Sequence, residues 1–105
     1  MAVPRAYLAG PEVFLPEAVA LGEAKKAVCA EHGLAGVFPL DPVDGRVPAV
    51  DGVALFEHCV AHLDRCDLVI ANLTPFRGPS MDVGTAVEIG YALGVGLPVY
   101  GYTNV

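Results

Sequence analysis

The sequence predicts a doubly wound α/β fold, in which a parallel sheet of about four strands is covered by helices on both faces. Short apolar segments that suit buried strands alternate along the chain with longer segments whose apolar residues recur at helical spacing. Gly and Pro stand at most of the junctions between them. The clearest strand, Asp67–Leu73, is apolar at five of its seven positions without alternation, as expected for a parallel strand buried on both faces.

The first half of the chain predicts a strand, a helix and a second strand. Ala6–Ala9 is a short apolar strand that a Gly-Pro turn ends at once. The following helix is expected to begin near Pro16, which suits a first helical position, and to end at Gly33. Its predicted apolar stripe is Leu21, Ala24 and Val28. Gly36–Leu40 is the second strand, and Pro39 places it at an edge because proline donates no ladder hydrogen bond.

The second half predicts a loop, two further helices and two further strands. Asp41–Asp51 is rich in Pro, Gly and Asp and is expected to be a long loop. The helix at Gly52–Arg65 has an apolar stripe and an opposite side that we expect to face solvent. The stripe is Val53, Phe56, Val60 and Leu63, and the solvent side is Glu57, His58, Ala61 and His62. A third helix begins at about Asp82, and Leu97–Tyr102 is the last strand.

In such folds ligands bind outside the carboxyl ends of the strands, at the point where the strand order reverses. The predicted ends are Ala9–Pro11, Asp41, Asn72–Pro75 and Tyr102–Asn104. The loop Thr74–Met81, which contains Phe76, Ser80 and Met81, follows the most buried strand. We therefore expect this loop to form the rim of a pocket.

The composition predicts one domain over residues 1–105 with a small ligand. A net charge of −6 disfavours both nucleic acid polymers and anionic membranes as partners. Hydrophobic residues make up 54% of the chain and the mean hydropathy is +0.53, which predicts a homo-oligomer. The cysteines are odd in number and lack a CxxC pair or a signal-peptide pattern, so we expect reduced thiols and a cytoplasmic protein.

Glu88 is the single charge in the third helix, among small and apolar residues. A capping box with Thr85 or simple exposure would explain it. Asp82, however, is an equally good cap, and a carboxylate in such surroundings is expected to be desolvated, as catalytic carboxylates often are. Asp82 itself is either an N-cap or a second carboxylate of the same pocket. Tyr7 is either core packing or the hydrogen-bond partner of Glu88.

Other chemistries find little support, and no metal or cofactor is predicted. His58, His62 and Cys66 share helical spacing, but a structural zinc site needs a fourth ligand, and a solvent-facing position is the better interpretation. Arg77 is the one basic residue near the rim, and no glycine-rich phosphate-binding loop surrounds it. Ser80 is the only serine and lacks a GxSxG frame.

Four segments taken together resemble the nucleoside 2-deoxyribosyltransferases. They are YLAGPEVFLP from Tyr7, FPLD from Phe38, DLVIANLTPFRGPSMDVGTAVEIGYALG from Asp67 and PVYGYTN from Pro98. The resemblance spans nearly the whole chain and implies a flavodoxin-like fold. It also implies transfer of the 2-deoxyribosyl group between nucleobases, with deoxyribonucleosides and free bases as substrates, no cofactor, and hydrolysis as a side reaction.

The resemblance assigns roles to the candidate residues. Glu88 is implied to be the nucleophile that forms a covalent deoxyribosyl ester, and Tyr7 to hold its carboxylate. Asp82 is implied to contact the sugar or to assist proton transfer. We expect substrate contacts from Gly10, Pro11, Phe14, Asp41, Asn72, Phe76, Ser80 and Met81, with Phe14 or Phe76 stacking on the base.

Two departures from the family pattern leave alternatives open. Cys59 stands where some members carry a base-contacting aspartate, so base preference is not predicted. Members also continue past the fourth strand with a helical part and an asparagine that reaches a neighbouring subunit's site. The alternatives are therefore a deoxynucleoside 5′-monophosphate N-glycosidase, for which Arg77, Ser80 and Thr74 would supply phosphate contacts, and a non-catalytic nucleoside-binding or assembly domain.

Overall fold

A computed structural model describes residues 2–48 and 52–104, and the order of elements in it confirms the prediction. The strands are β1 (Arg5–Ala9), β2 (Ala35–Val37), β3 (Leu68–Asn72) and β4 (Val99–Tyr102). The helices are α1 (Ala18–Glu31), α2 (Gly52–Leu63) and α3 (Val83–Gly94). A 3₁₀ turn at Pro11–Phe14 follows β1. The predicted boundaries are correct to within a few residues, and the strands are mostly shorter than predicted.

The four strands form one parallel sheet in the order β2-β1-β3-β4. The edge position predicted for β2 is confirmed, and Pro39 lies just beyond its end. From β1 the chain runs to β2 on one side and then returns to β3 on the other. The order therefore reverses between β1 and β3, and the crevice at their carboxyl ends is the expected ligand position.

Helices cover both faces of the sheet, as predicted. One core cluster contains Leu8, Cys29 and Phe38 and lies under α1. The other contains Tyr7, Val69 and Leu63 and lies under α2 and α3. The successive residues Tyr7 and Leu8 thus face opposite sides, as the alternation of a strand requires.

The buried side of α1 differs from the predicted one. The helix begins at Ala18, two residues after Pro16, and it buries Ala18, Gly22 and Cys29. Val28, predicted to be core, is 55% exposed. The predicted stripe of Leu21, Ala24 and Val28 instead borders an open groove of about 350 Å³ against Ile70 and Tyr102. The prediction was wrong because hydropathy ranked glycine below valine, whereas Gly22 is the residue that lets α1 approach Phe38.

The predicted orientation of α2 is correct for Leu63, which is buried, and for Glu57, which is exposed, but wrong for other residues. Val53 is 69% exposed, whereas His62, predicted to face solvent, is only 4% exposed. The imidazole tolerates burial because its Nε2 hydrogen-bonds to the backbone oxygen of Asp41 at 2.7 Å. His58 Nε2 bonds to the same oxygen at 2.8 Å. Cys66 is buried, and no group of His, Cys, Asp and Glu able to hold a metal occurs within residues 2–48 and 52–104.

The loop Thr74–Met81 lies outside regular secondary structure, as predicted. It is closed by a hydrogen bond from the Phe76 amide to the Ser80 carbonyl at 2.9 Å. Arg77 takes a left-handed backbone conformation with φ of 56°. In the described part of the chain, no helix has the length and apolarity to cross a membrane.

The close contact of α1 with the sheet leads to a stability prediction. A Cβ at Gly22 would lie 2.8 Å from the Phe38 ring, whereas a Cβ at Gly90 in α3 would meet no atom within 4 Å. Both substitutions to alanine gain about 1 kcal/mol of helix propensity. Only Gly22→Ala overpacks the core, at a cost of about 1–3 kcal/mol. We expect Gly22→Ala to be less stable than Gly90→Ala by that amount in urea unfolding, and equal stabilities would contradict the packing argument.

Candidate active site

The centre of the site is a hydrogen bond between β1 and α3. Tyr7 is fully buried, and its hydroxyl donates to Oε2 of Glu88, which is half-buried in the second turn of α3. Glu88 therefore neither caps the helix nor projects into solvent, and both of those interpretations are wrong. The N-cap is Asp82, whose Oδ2 accepts from the Thr85 amide and hydroxyl, each at 2.9 Å. The predicted pairing of Tyr7 with Glu88 is present.

Burial governs the protonation states at this centre. It raises the pKa of Glu88 to about 6, although hydrogen bonds from Tyr7 and Cys59 oppose the shift and the nearby charge of Asp82 adds to it. Burial and the Glu88 carboxylate raise the pKa of Tyr7 far above its ordinary value. Burial likewise raises the pKa of the Cys59 thiol to about 11. At neutral pH an ionised carboxylate thus accepts hydrogen bonds from two neutral donors.

A cavity of about 290 Å³ lies beside Glu88. Its walls come from the turn after β1 (Gly10, Val13, Phe14), the segment after β2 (Pro39, Leu40), α2 (Gly52, Leu55, Phe56, Cys59) and α3 (Gly84, Val87, Glu88). Among these described lining residues, Glu88 alone carries a charged side chain. An apolar cavity with one desolvated carboxylate suits attack on a bound, uncharged substrate.

The rim carries an aromatic pair and a cation. The rings of Phe14 and Phe76 stack with centroids 5.7 Å apart and an interplanar angle of 21°. The Arg77 guanidinium carbon lies 4.6 Å from the Phe76 centroid and 5.4 Å from that of Phe14. Phe14 lines the cavity, so the two phenylalanines predicted to stack on a base lie together at its mouth.

Other predicted substrate contacts already have protein partners. Asn72 is buried, donates to Glu12 and accepts from the Thr74 amide at 3.1 Å. Asp41 accepts from the Phe38 amide at 2.9 Å and from Lys26 at 2.8 Å. The remaining three are Pro11, buried in its turn, Ser80, exposed on the loop, and Met81, half-buried. Substrate contact by these residues, and a catalytic role for Asp82, stay predictions.

Most of the apolar wall was not predicted from the sequence. Phe56, predicted to lie on the apolar stripe of α2, is 45% exposed and borders the cavity. Cys59 was considered only as a departure from the family pattern, whereas it contacts both Tyr7 and Glu88. Leu55, Cys59 and His62 also recur at helical spacing, and they fit it as closely as the residues of the predicted stripe. That second periodicity was the available signal.

Comparison with known proteins gives a relative in sequence and solved structures with the same fold. The uncharacterized protein C191.05c of Schizosaccharomyces pombe is 42% identical over 107 residues, covering 97% of this chain and 51% of the yeast protein. The 2-desoxiribosyltransferase from Leishmania mexicana superposes with a TM-score of 0.82 at 29% identity, over 97% of this chain and 65% of that protein. The chain thus spans about half to two thirds of their lengths.

A third comparison shows the fold alone. The CMP N-glycosidase BcmB of Clostridium botulinum superposes with a TM-score of 0.64 at 19% identity, over 94% of this chain and 71% of that protein. A sequence model described as nucleoside 2-deoxyribosyltransferase matches residues 6–105, which include all four strands except Arg5, the first residue of β1. With that match added to the flavodoxin-like fold, the chain belongs to the nucleoside 2-deoxyribosyltransferase family.

Proposed function

We propose that the chain transfers the 2-deoxyribosyl group of a purine or pyrimidine deoxyribonucleoside to another nucleobase, through a covalent ester on Glu88, and so serves nucleotide salvage. The observation that carries the proposal is the Glu88 carboxylate, which borders an apolar cavity and accepts a hydrogen bond from the buried Tyr7. Its pKa of about 6 leaves it ionised at neutral pH. The family membership gives the class of reaction.

In the first step a Glu88 oxygen forms a bond to C1′ as the bond from C1′ to the base nitrogen breaks. The bonding electrons leave with the base, which takes up a proton. We assign the attack to Oε1, because Tyr7 binds Oε2. Asp82, at the start of the same helix, is the proposed proton donor or sugar contact.

In the second step a nitrogen of the incoming base attacks C1′ as the bond from C1′ to the Glu88 oxygen breaks, and the proton of that nitrogen passes to Asp82, the proposed donor of the first step. The two inversions give net retention. Water in place of the base gives free deoxyribose, which is the proposed hydrolytic side reaction. The apolar walls formed by Phe14, Leu55 and Phe56 favour transfer, because they bind a flat base and exclude water.

Arg77 supports a second candidate, the hydrolysis of deoxynucleoside 5′-monophosphates. Its guanidinium lies over the aromatic pair at the mouth of the cavity, where a 5′-phosphate would find a cation. The nucleoside remains the better substrate in our proposal, because the guanidinium is already held by the two rings.

We expect deoxyinosine and adenine to yield deoxyadenosine, and Glu88→Ala to lower the rate by at least about 10³-fold, since the nucleophile is lost. Tyr7→Phe should lower it about 10–100-fold, because a hydrogen bond to a charged group is removed. Tyr91→Phe is the matched control, since that hydroxyl bonds to Asp64 at an exposed position. Product formation is measured by chromatography.

Mass spectrometry of protein trapped with substrate should locate a deoxyribosyl adduct on Glu88. Persistent exchange in Glu88→Ala would contradict the proposed nucleophile. Faster turnover of deoxyadenosine 5′-monophosphate than of deoxyadenosine would favour the glycosidase. Nucleoside binding without any turnover would instead support the non-catalytic binding domain.

The raised pKa of Glu88 predicts two pH dependences. The nucleophile must be ionised, so kcat/KM should fall below about pH 6. The free energy of unfolding should change in the opposite direction and decrease as the pH rises. The folded pKa of about 6 exceeds the ordinary 4.5, so the folded state binds more protons in this window and stability falls as pH rises through it.

Glu88→Gln removes that titration and serves as the control. Between pH 4 and pH 7 the parent should lose about 2 kcal/mol of unfolding free energy through the titration of Glu88, a value that follows from the size of the pKa shift. The variant should not show this loss, so its stability relative to the parent should increase by the same amount. Urea titrations at the two pH values give the comparison. A constant difference across the window would show that Glu88 titrates normally.

We further propose a homo-oligomer in the cytoplasm. Large apolar side chains are exposed on α1, α3 and β4, among them Val19, Leu93 and Tyr100, and they support burial between subunits. The free thiols of Cys29, Cys59 and Cys66 are compatible with a reducing compartment. Light scattering should give a mass of at least two chains, and a monomer at micromolar concentration would contradict the oligomer.

A further inference from the structure

Glu12 is a buried charge that the proposed reaction does not use. It lies in the turn after β1 with only 6% of its surface exposed. Its side chain borders the groove between α1 and the sheet, whereas Phe14 of the same turn lines the cavity beside Glu88. A carboxylate is costly to bury unless it is paired, so its partners indicate its role.

The partners of Glu12 come from two other elements, β3 and α1. Its Oε1 accepts a hydrogen bond from Asn72 Nδ2 at the end of β3 and lies 3.3 Å from Lys25 Nζ on α1. Lys25 also donates to the Tyr102 hydroxyl at the end of β4. Burial opposes the charge on Lys25, but the bond to Tyr102 and the charge of Glu12 raise its pKa overall. The Glu12 carboxylate thus connects α1 with the carboxyl ends of β1 and β3, and Lys25 extends the connection to β4.

The connection continues into the rim loop. Asn72 uses its Oδ1 to accept from the Thr74 amide at 3.1 Å, and the bond to Glu12 fixes which way this side-chain amide points. Thr74 begins the loop that carries Phe76, and Phe76 stacks on Phe14. The turn and the loop are therefore joined at their bases by Glu12 and Asn72, and at their tips by the two rings.

The close approach of Glu12 and Asn72 leaves no room for a side chain at Gly10, the residue before the turn. A Cβ on Gly10 would lie 2.2 Å from Glu12 Oε2 and 2.9 Å from Asn72 Cβ. Glycine is thus required where the chain enters the turn, because any side chain would separate Glu12 from Asn72.

We propose that Glu12 is a positioning residue for nucleoside binding. Through Asn72 it holds the turn Pro11–Phe14 against the loop Thr74–Met81 and so sets the spacing of the Phe14–Phe76 rim. A glutamine would not replace it fully, because its amide oxygen could accept from Asn72 but would carry no charge to pair with Lys25. This role rests on the proposed function, although the coupling of the two loops is measurable without activity.

The first test measures hydrogen exchange by mass spectrometry in the parent, Glu12→Ala, Asn72→Ala and the double variant. Each single variant should speed exchange in peptides covering both the turn after β1 and the loop Thr74–Met81. The double variant should add little to the larger single effect, because one shared bond is lost. Peptides of α3 around Glu88 should be unchanged. Asp44→Asn is the control, since it removes only an exposed ion pair with Arg65.

The second test measures deoxyribosyl transfer by the same variants. Glu12→Ala should raise the KM for the nucleoside about tenfold, with kcat altered less than threefold and the acidic limb of kcat/KM unmoved. Glu12→Gln should lie between the parent and the alanine variant. If the hydrogen-exchange experiment shows the coupling of the two loops but the parent protein transfers no deoxyribosyl group, the proposed function is refuted and the coupling still holds.

Three outcomes would overturn the positioning role. In the first, exchange in the rim loop is unaffected by Glu12→Ala. In the second, exchange rises equally across α3, which would mark a general loss of stability. In the third, kcat falls or its pH limb moves while KM stays constant, which would place the effect of Glu12 on Glu88 itself.

Discussion

The hydrogen bond between Tyr7 and Glu88 is the constraint on which the rest of the site depends. A carboxylate that loses water must gain a donor, or its charged form becomes too costly to keep. The donor here comes from the central strand β1, and its hydroxyl is inaccessible to solvent. The position of α3 over the sheet is therefore set by chemistry as well as by packing. The small residues around Glu88 permit this approach and leave space for the cavity.

The parts of the fold that depend on local patterns were predictable from the sequence. Strand and helix order follows from periodicity and from Gly and Pro at the junctions. The edge position of β2 was also predicted correctly, although Pro39, from which it was predicted, lies beyond the end of the strand. Glu88 was identifiable because a single charge in an apolar helix has few explanations. Its partner Tyr7 lies 81 residues away, and only the pairing of β1 with β3 under α3 brings the two together.

The parts that depend on contacts between distant segments were not predictable. His62 is polar and was placed in solvent, but the acceptor that allows its burial is the backbone oxygen of Asp41, which no sequence pattern indicates. Hydropathy gave Gly22 no place on the buried side of α1, yet a Cβ there would lie 2.8 Å from the Phe38 ring. Asn72 lies at a predicted strand end, and its contact with substrate stays a prediction. Position alone does not show that Glu12 already occupies its amide.

Strand alternation separates two polar groups at the same end of the sheet. Glu12, Lys25 and Asn72 lie towards α1 and satisfy one another, while Glu88 faces the opposite side with neutral donors. This separation matters for the proposed reaction. A lysine beside Glu88 would lower its pKa and weaken the carboxylate as a nucleophile. With its pKa near 6, the carboxylate is ionised for attack at neutral pH and remains a competent leaving group when the second base arrives. The sheet therefore separates Glu12 and Lys25, which are proposed to position the loops, from the Glu88 carboxylate, which is proposed to react.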